Sequence, residues 1–231
     1  MERKIPFEKG ECYHIYTRGV EKRTVFTSDA DRDRFLALLF ICNNVNGVNI
    51  HNLLKKYGGE PLQILAQEDI EETLVDILAF AMMPNHIHLI THEKKPGGIS
   101  KFMLKLMTAY SMYFNTKYDR SGPLFTRPFR SKHINSDEYF RWVFVYVHLN
   151  PIELFQSDWK EKGVLDPKGA ATFLQSYAYG SFPDYFIGER AASRILAKNA
   201  LPVEITDLHT MDDVLVEFSS KAPVDSKSLV Y

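Results

Sequence analysis

The sequence has few cysteines and no long apolar run, and both absences narrow the class of protein. Its two cysteines, Cys12 and Cys42, are too few for a disulfide framework and form no CxxC pair. No uncharged apolar stretch approaches the roughly 20 residues of a membrane helix, and the first residues lack the apolar core of a signal peptide. We therefore expect a soluble, cytoplasmic protein without a membrane partner.

Acidic residues are nearly absent from one segment of the chain. The whole sequence carries 28 basic and 29 acidic residues, for a net charge of −1. Between residues 94 and 132, however, Asp119 is the single acid among nine basic residues. These are Lys94, Lys95, Lys101, Lys105, Lys117, Arg120, Arg127, Arg130 and Lys132. Such asymmetry indicates an anionic partner at one face, although a solvated basic helix would give the same pattern.

Apolar periodicity predicts an α+β fold. Alternating residues predict strands at 12–19, 75–83, 86–93 and near 130–135, and helical stripes follow Ser28 or Asp29 and span 97–119 and 136–153. This order, strand-helix-strand-strand-helix-strand-helix, predicts a ferredoxin-like or RRM-like antiparallel sheet with the helices packed on one face. The strands at 75–83 and 86–93 are expected to form a hairpin in the middle of that sheet.

The chain is expected to consist of one main domain at 1–155 and a C-terminal extension at 156–231. An asparagine- and glycine-containing insertion at 43–72 interrupts the main domain and is predicted to be partly helical. The extension suggests a short helix and two further helical pieces, "SRILAKN" and "MDDVLVEFSS". Residues 152–231 carry 8 basic and 12 acidic residues, so this part is not expected to be the main anion-binding surface.

Two histidines in "MPNHIHLI" could hold a metal ion. Side chains alternate between the faces of a strand, so His86 and His88 point the same way and both could reach one ion. Two hydrogen-bonded histidines that are packed in a sheet and bind no metal would give the same sequence pattern. The preceding Pro84-Asn85 indicates a tight turn and no chemistry of its own.

A tyrosine and an asparagine share one face of the last predicted helix. Tyr146 and Asn150 are four residues apart in "YVHLNPIE", so they are neighbours along the helix surface. Tyr146 alone would fit an aromatic position in an apolar core stripe, and Asn150-Pro151 alone would fit the end of a helix.

Together these pieces resemble a known family. "MPNHIHLI", followed about 60 residues later by "YVHLNPIE", resembles the single-tyrosine HUH transposases of small bacterial insertion sequences, and most closely the REP-associated tyrosine transposases. Further matching segments are "YHIYTRGVEKRTVF", "DADRDRFL", "YSMYFNTKYDRSGPLFTRPFRSKHI" and "EYFRWVFVYVHLNPI". The resemblance covers roughly residues 10–155. The insertion at 43–72 is longer than in compact members, and the extension matches only loosely.

The resemblance implies a DNA-cleaving activity at a metal site. By position, His86, His88 and Asn150 match the metal ligands and Tyr146 matches the nucleophile, which would form a 5′-phosphotyrosine link and allow rejoining. Imidazole ligands in general favour zinc and later transition metals, whereas the family implies Mg²⁺ or Mn²⁺. The expected partner is single-stranded DNA with a hairpin and not a small molecule. A homodimer is possible because insertion-sequence members are dimers, while some REP-associated members are monomers.

Phosphate contacts are predicted from the basic residues. The candidates are Arg18, Lys101, Lys105, Arg120, Arg127, Arg130 and Lys132. Tyr110, Tyr113 and Tyr118 are rival nucleophiles, but none has an amide four residues later. Two other functions stay open from the sequence. One is a transposase-derived module that binds hairpin nucleic acid without cutting it. The other is a zinc hydrolase that uses water, although the chain has no HExxH helix or carboxylate beside the histidine pair.

Overall fold

The computed structural model describes residues 6–205, 208 and 212–215, and a four-stranded sheet lies at its centre. The strands are β1 (Cys12–Arg18), β2 (Asp76–Met83), β3 (His86–His92) and β4 (Arg130–Ile134), in the order β2-β3-β1-β4. Each neighbouring pair is antiparallel. Two helical crossovers join these strands in the ferredoxin-like order. The predicted α+β class is therefore confirmed.

Eight α-helices with defined bounds accompany the sheet in the described residues, apart from a helical segment at 212–215. They are α1 (Asp29–Ile41), α2 (Ile50–Lys56), α3 (Pro61–Gln67), α4 (Gly98–Lys117), α5 (Asp137–Leu149), α6 (Trp159–Lys162), α7 (Pro167–Ser176) and α8 (Phe182–Phe186). Short 3-10 turns lie at Val20–Lys22, Asn150–Leu154, Ala191–Ile195, Lys198–Ala200 and Val203–Ile205. No helix in this part of the chain is both long and apolar enough to cross a membrane.

The helices cover both faces of the sheet, which corrects the prediction that they lie on one face. Ile87 and Leu89 of β3 belong to a large core with α1, α3 and α4. On the opposite face, Ile90 packs into a second core with Val143 and Val147 of α5. Helix α5 is buried on nearly every side from residue 139 to 149. A helix that is apolar all round needs cover on more than one side, and α5 finds it between the sheet and the C-terminal extension.

The insertion at 43–72 is partly helical, as predicted. Helices α2 and α3 lie within it, and α3 packs against α1. The side chains of Ile64 and Leu65 are fully buried in the core that α1 and α4 share. The insertion therefore contributes to the hydrophobic core through α3.

The C-terminal extension adds to the free edge of β2. Strand β2 is the outer member of the sheet, so the predicted hairpin lies at an edge and not in the middle. The extension pairs with it through a bridge between Ala81 and Gly180 and through the bond from the Met82 amide to the Tyr179 carbonyl, 2.9 Å. This pairing satisfies backbone groups that an edge strand would otherwise expose.

The predicted helical pieces of the extension are only partly helical. "SRILAKN" contains parts of two 3-10 turns in place of a helix. Of "MDDVLVEFSS", residues 212–215 are helical, and the others lie outside the described residues. The division at residue 155 stays a prediction.

Candidate active site

Three histidines lie on the face of the sheet that α5 covers. In the register of β1 and β3, Tyr16 is opposite His88 and Arg18 is opposite His86, so alternation places His14 on the same face. His14 Nε2 is 2.9 Å from His88 Nδ1, and their rings stack with centroids 5.1 Å apart. The shared direction of His86 and His88 agrees with the prediction from alternation. His14 is a site residue that the sequence reasoning missed.

Asn85 fixes the proton position on His86. The Asn85 amide nitrogen donates to the Lys22 carbonyl at 3.2 Å, so its oxygen, 2.6 Å from His86 Nδ1, accepts the imidazole proton. The lone pair of His86 is then on Nε2, which is the nitrogen that would bind a metal. Asn85 therefore bonds to His86 in addition to forming the turn that the sequence predicted.

The same logic gives His14 a supporting role for His88. Metal binding through His88 Nε2 requires the tautomer in which Nδ1 of that ring donates to His14 Nε2. Hydrogen bonds of this kind orient metal-binding imidazoles and set their basicity. His14 thus supports the candidate site without being one of its predicted ligands.

All three histidines are held neutral. Burial lowers the pKa of His86 to about 4 and that of His14 to about 3, and it lowers the pKa of His88 well below its usual range. A histidine binds metal through a neutral ring. The site therefore offers unprotonated imidazoles at physiological pH.

Helix α5 brings Tyr146 and Asn150 to these histidines. The helix begins after Ser136, whose side chain caps it by accepting from the Tyr139 amide at 3.2 Å. The Tyr146 ring stands edge-on to His88, with centroids 5.6 Å apart and planes at 90°. The Tyr146 ring also stacks on Trp142, with ring centroids 5.2 Å apart. The proposed nucleophile therefore lies against one of the proposed ligands within a single chain.

Asn150 has a buried amide that could bind a further ligand. Its side chain is fully buried, yet neither its amide oxygen nor its nitrogen has a hydrogen-bond partner among the described residues. It lies close enough to His86 and Tyr146 to influence their pKa values, but it meets neither at hydrogen-bonding geometry. A buried amide without a partner is costly unless something binds it. A metal ion at His86 and His88 would fit this oxygen.

The candidate metal ligands combine nitrogen and oxygen donors. No group of three His, Cys, Asp or Glu side chains in the described residues is arranged to hold a metal. Two imidazoles and an amide oxygen remain as the candidate set, and a hard cation would complete its shell with phosphate oxygens and water. The chemistry of these donors fits the predicted Mg²⁺ or Mn²⁺, and the Asn150 oxygen would be the third contact.

Tyr146 lies in a buried environment beside a cation. The residue is 3% exposed. Burial raises the pKa of the Tyr146 hydroxyl, and the positive charge of Lys160 opposes that rise. Lys160 Nζ lies 5.5 Å from the centre of the tyrosine ring. The phenol is therefore protonated at neutral pH and has a positive charge next to it.

A family model describing IS200-like transposases matches residues 10–150 of this chain. The chain belongs to the IS200-like transposase family. The matched segment includes the histidine pair, Tyr146 and Asn150, and the predicted family is confirmed. No curated protein matches the chain. A solved structure of a REP-associated tyrosine transposase bound to a REP hairpin is similar at 12% identity, with 80% of this chain and 84% of that chain covered and a TM-score of 0.45.

Three of the predicted DNA contacts of this transposase lie on the face of the sheet that holds the site. Arg18 is opposite His86, Lys132 is opposite His14 and Arg130 is opposite Tyr16. Lys132 also lies over the Tyr139 ring, 5.0 Å from its centre. These three cations border the histidines and are the best placed of the predicted set to contact a DNA strand there.

The other four predicted contacts lie on α4 or in the loop after it. Lys105 donates to the backbone carbonyls of Asn44 and Asn46 at 2.6 and 3.2 Å, and Lys101 is exposed one turn earlier on the same helix. Arg120 bonds the Asn115 side chain. Arg127 is exposed, and it lines an open groove of about 660 Å³ beside α4. The structure does not bring these four to the histidines.

The rival tyrosines lie on the opposite side of the sheet from the histidines. Tyr110 is fully buried and donates to the Val25 carbonyl at 2.6 Å. Tyr113 and Tyr118 donate to the carboxylate of Asp31 at 3.0 and 2.8 Å. All three hydroxyls therefore have structural partners, and none of these tyrosines contacts the histidine pair as Tyr146 does.

Proposed function

We propose that this protein cleaves and rejoins single-stranded DNA beside a hairpin, through a covalent 5′-phosphotyrosine link on Tyr146. The observation that carries the proposal is the contact between Tyr146 and His88, with the unpartnered amide of Asn150 one helical turn later. Family membership supports a transposase that acts on DNA. The hairpin follows from the family resemblance.

His86, His88 and Asn150 would hold Mg²⁺ or Mn²⁺. When bound, such an ion polarises a phosphate oxygen and offsets the charge that develops at phosphorus. Asn85 and His14 orient the two imidazoles through their hydrogen bonds. The chain thus supplies both the ligands and the groups that set their direction.

Tyr146 would act as the nucleophile. Its oxygen attacks phosphorus in line, the 3′-hydroxyl departs, and the 5′ end stays attached to the protein. Because the link is a phosphodiester, a 3′-hydroxyl can attack it later and release the tyrosine, so rejoining needs no ATP. Stacking on Trp142 at 5.2 Å fixes the phenol ring in place before the strand arrives.

Arg18, Arg130 and Lys132 would bind the strand on this face. A DNA backbone carries one charge per phosphate, and basic side chains supply most of the affinity for it. A flexible single strand can bend toward a recessed tyrosine, whereas a stiff duplex cannot. The recessed position of Tyr146 therefore favours single-stranded DNA as the cleaved substrate, and the basic residues would hold its backbone.

A covalent adduct tests the proposal. The protein is incubated with end-labelled hairpin oligonucleotides that carry single-stranded flanks, with Mg²⁺ or Mn²⁺, and the products are separated on a denaturing gel. We expect a slow-migrating protein–DNA adduct that Tyr146→Phe abolishes. Tyr118→Phe is the matched control, because Tyr118 is 38% exposed and bonds Asp31 on the other side of the sheet, and it should keep the adduct.

Each contrary outcome points to a different function. An adduct that survives Tyr146→Phe would show that another residue is the nucleophile. Hairpin binding without cleavage under either metal would indicate a transposase-derived binding module. Free 5′-phosphate ends that do not depend on Tyr146 would indicate hydrolysis by water. Mixing Tyr146→Phe protein with a His88 variant tests for a dimer in which the tyrosine of one subunit serves the histidines of the other. In such a dimer, activity would return in the mixture.

A further inference from the structure

Lys160 lies outside the sequence motifs of the site, yet its side chain reaches Tyr146, the proposed nucleophile. It belongs to the short helix α6, beyond residues 10–150 that the family model matches. Its neighbour Trp159 is fully buried in a small core with Leu149 and Ile152. Burial of Trp159 fixes α6 against the end of α5. The position of Lys160 is therefore set by packing as well as by its own charge.

Two contacts define where the ammonium of Lys160 sits. Its Nζ lies 5.5 Å from the centre of the Tyr146 ring and 2.9 Å from Glu153 Oε2. The side chains of Lys160 and Glu153 are 24% and 40% exposed, whereas Tyr146 is 3% exposed. A strand approaching from solvent therefore meets partly exposed side chains such as Lys160 before it meets the phenol.

The ammonium of Lys160 lies beside the phenol, with Nζ 5.5 Å from the centre of the Tyr146 ring. A phosphate that Tyr146 attacks would lie next to this ring, within the range of that positive charge. Opposite charges a few ångströms apart attract each other in a partly buried site.

We propose that Lys160 is a further catalytic residue, whose ammonium contacts a non-bridging oxygen of the scissile phosphate while Tyr146 attacks. This inference rests on the proposed function. The Tyr146 oxygen bonds to phosphorus as the bond from phosphorus to the 3′ oxygen breaks. The phenol proton passes to water, the 3′ oxygen takes a proton from water, and Lys160 stays protonated throughout.

In the free protein the ammonium of Lys160 pairs with Glu153 at 2.9 Å, and a phosphate oxygen would replace that carboxylate. A partly exposed ion pair of this kind contributes little to stability, so exchanging a carboxylate for a phosphate oxygen is a small step for Lys160. A lysine binds phosphate as a compact point charge on a flexible stem, which suits such an exchange. The plain alternative is that Lys160 and Glu153 are an ordinary surface ion pair.

Single-turnover rates of adduct formation distinguish these alternatives. With saturating hairpin DNA and Mg²⁺ or Mn²⁺, Lys160→Gln should slow adduct formation by about 100-fold, as expected for loss of one group that stabilises transition-state charge. Lys160→Arg keeps the charge and should stay within about tenfold of wild type. Glu153→Gln removes the ion pair but leaves the lysine, so its rate should not fall.

Controls separate this role from folding and binding. Lys162→Gln is the matched control, because Lys162 lies two residues away with a side chain that is 62% exposed and paired with Asp158. Thermal melting of each variant reports folding. DNA affinity is measured for Lys160→Gln in the Tyr146→Phe background, where no cleavage interferes, and it should fall far less than the rate does.

The outcomes distinguish the two levels of inference. If wild-type protein forms no adduct, the proposed function fails, and the role of Lys160 fails with it. If wild type forms the adduct and Lys160→Gln matches its rate, only the role of Lys160 is overturned. If Glu153→Gln slows the reaction as much as Lys160→Gln does, the ion pair is structural and the catalytic role is again overturned.

Discussion

Two clusters of buried polar side chains lie on opposite faces of the sheet, and they differ in how far their hydrogen bonds are satisfied. Around Asp31, at the start of α1, the carboxylate accepts from the Thr27 backbone and hydroxyl at 2.9 and 2.7 Å, from Tyr118 at 2.8 Å and from Lys117 at 2.6 Å. Around the histidine pair, the buried amide of Asn150 has no hydrogen-bond partner among the described residues.

The difference separates a structural cluster from a functional one. Buried polar groups are normally paired, because an unpaired group loses its hydration without compensation. The Asp31 cluster obeys this rule and ties α1 to α4. The histidine cluster breaks it at Asn150, which is expected of a site that is completed by a ligand. Mutations in the two clusters should therefore affect different properties.

The largest expected effect is the loss of activity in His88→Asn. The asparagine side chain can still donate to His14 but has no atom at the Nε2 position, so it removes the proposed metal ligand. Adduct formation should fall by at least about 100-fold, because ligand loss removes the metal's stabilisation of developing charge. Calorimetric titration with Mn²⁺ should show binding weakened in parallel, while the unfolding free energy changes by about 1 kcal/mol or less.

His92→Asn is the matched control for that change. His92 lies on the same strand, where its Nδ1 pairs with Asp76 at 2.9 Å. Its replacement should leave both metal binding and adduct formation close to wild type. Equal losses in the two variants would mean that the strand, and not the ligand, had been disturbed.

Asp31→Ala is expected to lower stability and to leave adduct formation unchanged. The change leaves Lys117 and several buried donors without their acceptor, and breaking such a cluster typically costs about 3 kcal/mol. Urea denaturation should show this loss, whereas adduct formation at a temperature where the variant is folded should stay near wild type. Asp29→Ala is the control, since the side chain of Asp29 is 77% exposed and its pair with Arg32 lies on the surface.

The Asp31 cluster should also make stability depend on acid. Burial alone would raise the pKa of Asp31, but hydrogen bonds from Lys117, Thr27 and Tyr118 outweigh it and hold that pKa well below its usual range. Below about pH 4 the unfolded state takes up the proton first, so the contribution of Asp31 to stability is complete above that pH and is lost as pH falls.

Urea denaturation at a series of pH values checks the direction in which the contribution of Asp31 to stability changes with pH. The gap in unfolding free energy between wild type and Asp31→Asn should be widest near neutral pH and should narrow steadily below about pH 4. A gap that widens with acid would contradict the assigned direction. The buried histidines also lose stability in acid, because their pKa values are lowered in the folded protein and the unfolded chain is protonated first, below about pH 6.5. This contribution is the same in wild type and Asp31→Asn, so it cancels in the gap between them.

A smaller effect is expected where a residue supports a ligand without being one. Asn85→Ala removes the acceptor that fixes the His86 proton on Nδ1. Affinity for Mn²⁺ should fall by about tenfold, as for other groups that orient metal-binding histidines. Asn52→Ala, on the exposed surface of α2, is the control. Unchanged Mn²⁺ affinity in Asn85→Ala would show that the tautomer of His86 is set by something else.

The sequence predicted the parts of the site that are spaced along one strand or one helix. Alternation placed His86 and His88 on one face, and the helical repeat placed Tyr146 above Asn150, because both regularities are local. His14 and Lys160 could not be found in that way, since β-sheet register and the packing of Trp159 bring them to the site. The prediction that the helices lie on one face of the sheet was wrong for a related reason. Apolar residues all round α5 indicate that the helix is buried, but they do not indicate which elements bury it.

The smallest expected effect concerns how α5 is held. The Ser181 hydroxyl lies 2.8 Å from His148 Nε2 and accepts from the Phe80 amide at 2.9 Å, so it ties α5 to β2. Because His148 Nδ1 donates to the Phe144 carbonyl at 2.8 Å, its Nε2 is an acceptor that needs this hydroxyl. Ser181→Ala should cost about 1 kcal/mol of stability, with Ser176→Ala at the exposed end of α7 as control.

Ser181→Ala sharpens the comparison because His148 lies between Tyr146 and Asn150 on α5. If clusters whose polar groups are all hydrogen-bonded serve only structure, Ser181→Ala should lose stability. Its rate of adduct formation should stay unchanged at a temperature where the variant is folded. A fall in rate of about tenfold, equal to 1.4 kcal/mol, would exceed the stability cost. That outcome would mean that the hydrogen bonds of His148 and Ser181 position Tyr146. A fully hydrogen-bonded cluster could then serve function as well as structure, and hydrogen bonding alone would not distinguish the two faces of the sheet.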